Sequence, residues 1–161
     1  MSKKADTTRS KNSTEFYEQK TTKVKMTLLK NPKYKNLQLI LSAIVVISVS
    51  FVYGGNPSIF MPYVFGFEVI DIDLKNILRA VMGLYLAIGG FWVYGIIYEK
   101  YWATATLVNI LFMGGLTFGR LVSTFFDGIS PQFMVGLALE FLFMLWGIYN
   151  LKHFGNTKIS S

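Results

Sequence analysis

The chain has 161 residues, of which 52% are hydrophobic, and its mean hydropathy is +0.41. This composition is too apolar for an ordinary soluble protein, and the length allows one domain. The absence of cysteine excludes disulfides, thiolate metal sites, iron–sulfur clusters and thiol catalysis. The single histidine, His153, follows the last apolar segment, so one chain cannot bury a bis-histidine haem.

The formal net charge of +7 belongs to the N-terminal tail. Residues 1–36 contain ten Lys or Arg and three acidic residues, a surplus equal to the whole net charge. Positive charge beside a transmembrane segment predicts a cytoplasmic flank, so we interpret it as a topology signal and expect no nucleic-acid partner. The predicted tail is partly disordered, and its lysines are expected to contact lipid headgroups: Lys20, Lys23, Lys25, Lys30, Lys33 and Lys35.

Four apolar segments approach or exceed the ~30 Å of a hydrocarbon core at ~1.5 Å per residue. They predict an all-α integral membrane protein, a four-helix transmembrane bundle over residues 37–153 with both termini in the cytoplasm. The short tail at 154–161 would then also be cytoplasmic. The four helices are expected at about 37–53, 74–98, 102–126 and 131–153.

The connection between the first two helices is too apolar for a free loop. Asn56-Pro57 is typical of a helix N-terminus. We therefore expect a short extracytoplasmic helix in the membrane interface, so that residues 57–67 form an apolar lid over the bundle.

Three acidic residues follow this lid. Asp73 can cap the second transmembrane helix, which is expected to begin near Leu74. Glu68, Asp71 and Asp73 lack the D-x-D-x-D-G spacing of a known calcium loop, so no metal site is predicted.

Small residues at helical spacing predict the faces by which the helices pack closely, because glycine and alanine let two backbones approach. The second and third helices, joined by a very short turn, are expected to form a tight antiparallel hairpin. The predicted packing residues are Gly83, Ala87, Gly90, Gly115, Gly119 and Gly136.

The stretch GGLTFGRLVSTFFDG places Arg120 and Asp127 in an otherwise apolar helix. Seven residues are close to two helical turns, so both charges project from one side, with Ser123 and Thr124 between them. A charge at mid-bilayer costs ~2.5–3.5 kcal/mol on insertion scales, which disfavours an unpaired arginine.

Two further charges are expected at a similar depth, Arg79 on the second helix and Glu140 on the fourth. We therefore predict an intramembrane network of these four charges, with Arg120 as its hub because a guanidinium can hold a carboxylate by two parallel bonds.

Three functions are compatible with this network. The first is a structural or accessory membrane protein that the network braces and that self-associates through its glycine faces or joins a membrane complex. The second is binding or transport of a proton or small anion through a cavity lined by Arg79, Arg120 and Glu140. The third is a lipid- or quinone-linked enzyme, which requires a lateral opening at the depth of Glu140. No catalytic motif, metal ligand set or cofactor site is predicted.

The order of these features resembles a bacterial domain-of-unknown-function family of small four-helix inner-membrane proteins, DoxX-like in size and layout. The resemblance covers about residues 37–151 and depends on LRAVMGLYLAIGG, GLTFGRLVSTFFDG and the glutamate of the fourth helix. It implies a four-helix topology in a bacterial inner membrane and supplies no reaction. The matching positions are Arg79, Gly83, Gly119, Arg120, Asp127, Gly128 and Glu140.

Overall fold

A computed structural model describes residues 32–155 of the chain, and every regular element in that range is helical. A single helical turn, Pro32–Lys35, comes first, and a 3-10 turn, Glu99–Tyr101, joins the third helix to the fourth. The five helices in the described range are α1 Leu37–Gly54, α2 Pro57–Phe65, α3 Ile72–Ile97, α4 Trp102–Asp127 and α5 Pro131–Phe154.

Within residues 32–155, four helices are long and apolar enough to cross a membrane: α1, α3, α4 and α5. The prediction of an all-helical fold with four helices able to span a membrane is therefore confirmed for the described residues. The lipid-facing character is visible in the large apolar side chains that these helices expose, among them Phe118, Phe125 and Val135.

The predicted disordered tail and most of the predicted headgroup contacts lie outside the described residues. This applies to Lys20, Lys23, Lys25 and Lys30, and to residues 156–161 of the C-terminal tail.

The long helices pack as antiparallel neighbours in the order α1, α3, α4, α5. Glycines set the closest approaches: a Cβ on Gly54 would lie 2.4 Å from the Cβ of Met82, and one on Gly95 would lie 2.3 Å from the Cβ of Ala105. In contrast, α1 meets α5 over far fewer residues than it meets α3. We call this weakly packed boundary the α1–α5 seam.

The inner face of α3 is built from Tyr85, Gly89, Trp92 and Gly95, which recur about once per helical turn and are all buried. Trp92 is fully buried, and its ring meets the Phe112 ring edge to face at 5.6 Å. Aromatic side chains thus alternate with glycines on this face, so that large rings fill the core while the backbones stay close.

The predicted glycine edge of α3 instead lies on the outside of the bundle. A Cβ on Gly83 or Gly90 would meet no other atom of the described chain within 4 Å, and Ala87 is exposed. The prediction that these residues pack against a neighbouring helix of the same chain was therefore wrong. The rotation of α3 about its axis is determined by Tyr85 and Trp92, because these side chains bury more surface in the core than the glycine edge can.

The predicted Gly115-x-x-x-Gly119 face of α4 also points outward. A Cβ on either glycine would meet no side chain of a neighbouring helix within 4 Å, whereas a Cβ on the preceding Gly114 would lie 3.2 Å from the Met144 sulfur of α5. The tight packing of α4 therefore uses positions other than the predicted GxxxG pair.

The connection between α1 and α3 contains the predicted short helix, α2, which Pro57 opens. Gly66 ends it with a φ of 75°, a conformation that glycine adopts without strain. The Ser58 hydroxyl then donates to the Val69 carbonyl at 3.1 Å and ties α2 to the following segment. The interfacial position of α2 stays a prediction.

The N-terminal cap of α3 is Asp71 and not Asp73. The Asp71 Oδ1 accepts hydrogen bonds from the backbone N–H groups of Asp73 and Leu74 at 2.7 and 3.1 Å. The helix begins at Ile72, two residues earlier than expected, so Asp73 falls in its first turn.

We predict that Gly95→Ala destabilises the bundle, because its new Cβ would force α3 away from α4. Overpacking of this kind costs about 1–3 kcal/mol. Thermal unfolding in detergent micelles should show a lower melting temperature for this variant. Gly90→Ala, on the open face of the same helix, is the matched control and should melt near the wild-type temperature; equal effects of both variants would contradict the packing described.

Candidate functional site

Arg120 of α4 and Glu140 of α5 form a bidentate ion pair. The Arg120 Nε donates to the Glu140 Oε2 at 2.8 Å, and its Nη2 donates to the Oε1 at 2.9 Å. The two side chains are only 20% and 13% exposed. Two parallel bonds fix the planes of both groups, so the pair links neighbouring helices with a defined orientation.

One face of α5 contacts this guanidinium. A Cβ on Gly136 would lie 3.4 Å from the Arg120 Cζ, so the guanidinium lies against the α5 backbone one turn before Glu140. The Phe133 ring lies 5.2 Å from the same Cζ, a cation–π distance. Phe133, Gly136 and Glu140 recur at helical spacing, so one face of α5 supplies the ring, the space and the carboxylate.

The other predicted charges lie apart from this pair. Arg79 is exposed on α3, and in the described part of the chain no ion pair or hydrogen bond joins it to the other three charges. Asp127 is exposed at the end of α4, where its Oδ2 accepts from the Ser123 hydroxyl at 3.0 Å. Of the four predicted charges, all within residues 32–155, only Arg120 and Glu140 are joined by an ion pair, so the predicted four-charge network does not form.

The helix geometry explains both separations. Asp127 lies on the same side of α4 as Arg120, but seven residues rise about 10 Å along the axis, too far for a direct bond. The inner face of α3 is occupied by its aromatic residues, which leaves Arg79 on the outside. Thr124, the remaining predicted residue, donates from its hydroxyl to the Arg120 backbone carbonyl at 2.8 Å, a bond within its own helix.

A cavity of about 220 Å³ lies beside the ion pair. Its lining is mainly apolar, and Arg120 and Glu140 supply the charged groups in its wall. Val45, Val135 and Leu139 also line it and are 40%, 66% and 46% exposed. Because these residues lie on α1 and α5, the cavity reaches the outer surface of the bundle along the α1–α5 seam.

A cluster of aromatic rings closes the cavity at the α2 end of the bundle. Phe65 of α2 stacks on Phe133 with centroids 4.9 Å apart and on Tyr53 of α1 at 5.9 Å. Tyr53 meets Tyr85 of α3 edge to face at 5.7 Å. These contacts place one residue of the predicted lid directly beside the ring that covers Arg120.

A second cleft, of about 240 Å³, lies on the other side of Arg120, where α4 and α5 are connected. It is lined by hydroxyl groups as well as by Arg120 and Phe133, which also line the apolar cavity. The guanidinium is thus part of the wall between an apolar and a polar space. The hydroxyl residues of the cleft are Ser123, Thr124 and Ser130.

Sequence reasoning missed two groups that shape the interior. One is the aromatic cluster; the other is a set of buried amides on α1, α4 and α5, with Gln38 donating to the Asn109 Oδ1. A signal for the amides was present, because a glutamine or asparagine inside an apolar span is costly unless it is paired. Among the described residues no group of three or more His, Asp or Glu side chains could hold a metal ion.

The model of a known protein family, described as a domain of unknown function (DUF4345), matches residues 35–151. The chain belongs to this family. The predicted resemblance to a domain-of-unknown-function family is thereby confirmed. The matched range contains the ion pair, the cavity, the second cleft and the four candidate spans except the last three residues of α5. No curated protein and no solved structure matches the chain.

We predict that Glu140→Gln lowers the free energy of unfolding by about 3 kcal/mol, because it leaves a largely buried guanidinium without its carboxylate. Chemical or thermal unfolding in micelles measures the loss. The double variant Arg120→Met/Glu140→Leu should regain much of the stability, since it removes both charges together. Asp127→Asn, at an exposed acid on the same face of α4, should change stability little; a comparable loss there would show that the ion pair has no special role.

Proposed function

We propose that this membrane protein binds an amphipathic molecule from the bilayer, with its apolar part in the cavity at the α1–α5 seam and an uncharged polar group at the Arg120–Glu140 pair. The observation that carries this proposal is the cavity itself, which is mainly apolar, adjoins a largely buried ion pair and reaches the lipid-facing surface. A lateral opening at the depth of Glu140 is the feature that a lipid ligand requires. No catalytic step is part of the proposal.

The size of the cavity limits what enters it. An apolar cavity of ~150 Å³ accommodates benzene, whereas pockets for drug-sized ligands usually exceed ~300 Å³. A space of about 220 Å³ therefore suits one ring or a short stretch of hydrocarbon chain. The remainder of the ligand would stay in the seam, in contact with lipid.

The ion pair favours an uncharged polar group. Glu140 cancels the charge of Arg120, so an anion entering this apolar space would compete with Glu140 and lack a counter-charge of its own. A guanidinium carries five N–H donors, of which Glu140 takes two. The Tyr53 hydroxyl also lies within hydrogen-bond range of the guanidinium. A neutral acceptor such as an ester carbonyl can use a remaining donor without disturbing the pair.

The same argument disfavours the proton or anion pathway considered from the sequence. Most of the lining is apolar and its two charged groups are paired with each other, so few polar partners remain for a continuous chain of water molecules. Arg79, which that pathway would use, lies outside the site.

A brace between α4 and α5 is the second candidate role for the pair, favoured by its two-bond geometry. The two roles are compatible, because a rigid pair also presents a fixed surface to a ligand. They differ in their consequences: a brace alone affects stability, whereas a ligand site also affects what the protein binds.

The remaining predictions are retained as proposals. The N-terminus is proposed to be cytoplasmic, on the basis of the basic residues at 1–36, and a bacterial inner membrane is proposed from the resemblance to small inner-membrane proteins. Self-association through the outward edges at Gly83, Ala87 and Gly90 and at Gly115 and Gly119 is compatible with their open surroundings.

The first test fills the cavity. Val46 lines it and is 4% exposed, so Val46→Phe should place a ring where the ligand binds. Native mass spectrometry of protein extracted in mild detergent should find an amphipathic molecule on the wild type and much less on the variant. Val93→Phe, at an exposed position on α3, is the matched control and should retain the ligand. Equal ligand content in all three proteins would overturn the proposal.

The second test addresses the polar group. In nanodiscs, diacylglycerol should compete for the site better than its dialkyl ether analogue, because only the ester supplies a carbonyl to Arg120. The preference should disappear in Arg120→Met/Glu140→Leu. Equal competition by the two lipids in the wild type would show that the ion pair does not contact the ligand.

A further inference from the structure

Three amide side chains are buried on three helices toward the terminal end of the bundle, where α1 begins and α5 ends. Gln38 lies on α1, Asn109 on α4 and Asn150 on α5, and they are 0%, 0% and 2% exposed. We call these three residues the amide cluster. None of them lines the apolar cavity, so the cluster has no part in the proposed ligand site.

The amides are held close to the α5 backbone. The Gln38 Nε2 donates to the Asn109 Oδ1 and lies 3.4 Å from the Phe143 carbonyl oxygen. A Cβ on Gly147 would lie 3.5 Å from the same Nε2 and 3.6 Å from the Asn109 Oδ1. Asn150 follows Gly147 by three residues, and helical side chains lean toward the N-terminus, so its amide leans over the same turn.

The cluster has more hydrogen-bonding groups than it uses. Among the described residues, the Gln38 Oε1, the Asn109 Nδ2 and the Asn150 Nδ2 are buried without a hydrogen-bond partner. Exchanging the oxygen and nitrogen of Gln38 does not help, because an oxygen would then face the Phe143 carbonyl oxygen. Buried polar groups in a membrane protein must find partners inside the bundle, since the hydrocarbon offers none.

We propose that the amide cluster is a binding site for ordered water, with a water molecule that accepts from the Asn109 and Asn150 amides and donates to the Gln38 Oε1. Water both accepts and donates and is satisfied by two to four polar partners, roughly the number supplied here. A chloride ion would accept hydrogen bonds from the same N–H groups but could not donate one to Gln38. A metal cation would face the N–H groups of Asn109 and Asn150, which repel positive charge.

This water links α1, α4 and α5 across the α1–α5 seam. Phe143 belongs to both regions, since its carbonyl faces Gln38 while the residue also lines the apolar cavity. The seam is thereby held closed by polar contacts at the terminal end and is open to lipid beside Glu140.

The direct test is NMR of the full chain in nanodiscs, with ¹⁵N in its asparagine and glutamine side chains. The Asn109 and Asn150 amide protons should show cross-peaks to water of the sign expected for bound molecules and not for chemical exchange. These cross-peaks should persist when a paramagnetic agent in the solvent removes the signals of surface water. Their absence in the wild type would overturn the proposal.

A stability measurement provides an independent check. If the cluster is dry, Asn150→Leu removes an unpartnered amide and raises the melting temperature; if water bridges it, the variant loses that bridge and the melting temperature falls. Thr106→Val is the control, because this buried hydroxyl bonds the Trp102 carbonyl of its own helix at 2.8 Å and should report only the general cost of such a change. A rise for Asn150→Leu would contradict the bound water.

Discussion

The bidentate bond between Arg120 and Glu140 is the interaction on which the interior of this bundle depends. An arginine that faces the interior of an apolar bundle is costly unless it is paired, and Arg120 is held by two bonds of 2.8 and 2.9 Å. To meet Glu140, the guanidinium crosses to α5 and lies against Gly136 under the Phe133 ring. That arrangement draws α4 and α5 together and leaves the space between α5 and α1 to an apolar cavity.

The two ends of the bundle therefore differ in how α1 meets α5. At the α2 end, aromatic rings and one ion pair surround a space that reaches the lipid. At the terminal end, the Gln38 amide of α1 bonds Asn109 of α4 and reaches the Phe143 carbonyl of α5 across the α1–α5 seam. A bundle closed at one end and open at the other suits a protein that admits part of a lipid molecule without losing its helix arrangement.

The number of membrane spans was predictable because about twenty apolar residues are needed to cross a bilayer, and four stretches here meet that condition. The rotation of each helix about its own axis could not be predicted. Lipid-facing and core-facing side chains are both apolar, so hydropathy does not separate them. The exposed Gly83 edge and the buried Trp92 of α3 illustrate this. Similarly, charge predicted that Arg120 needs a carboxylate, but only the axial distances show that Glu140 is the partner and Asp127 is not. The buried amides escaped notice because each one is a single neutral residue in an apolar run.

The measurement that tests the central claim most directly is a structure of the protein crystallised from a lipidic mesophase, at a resolution that shows acyl chains. The account predicts elongated density that enters between α1 and α5 and ends within hydrogen-bond distance of the Arg120 guanidinium, while the bond to Glu140 stays intact. A closed seam, with α1 packed against α5 and no space beside Glu140, would contradict it.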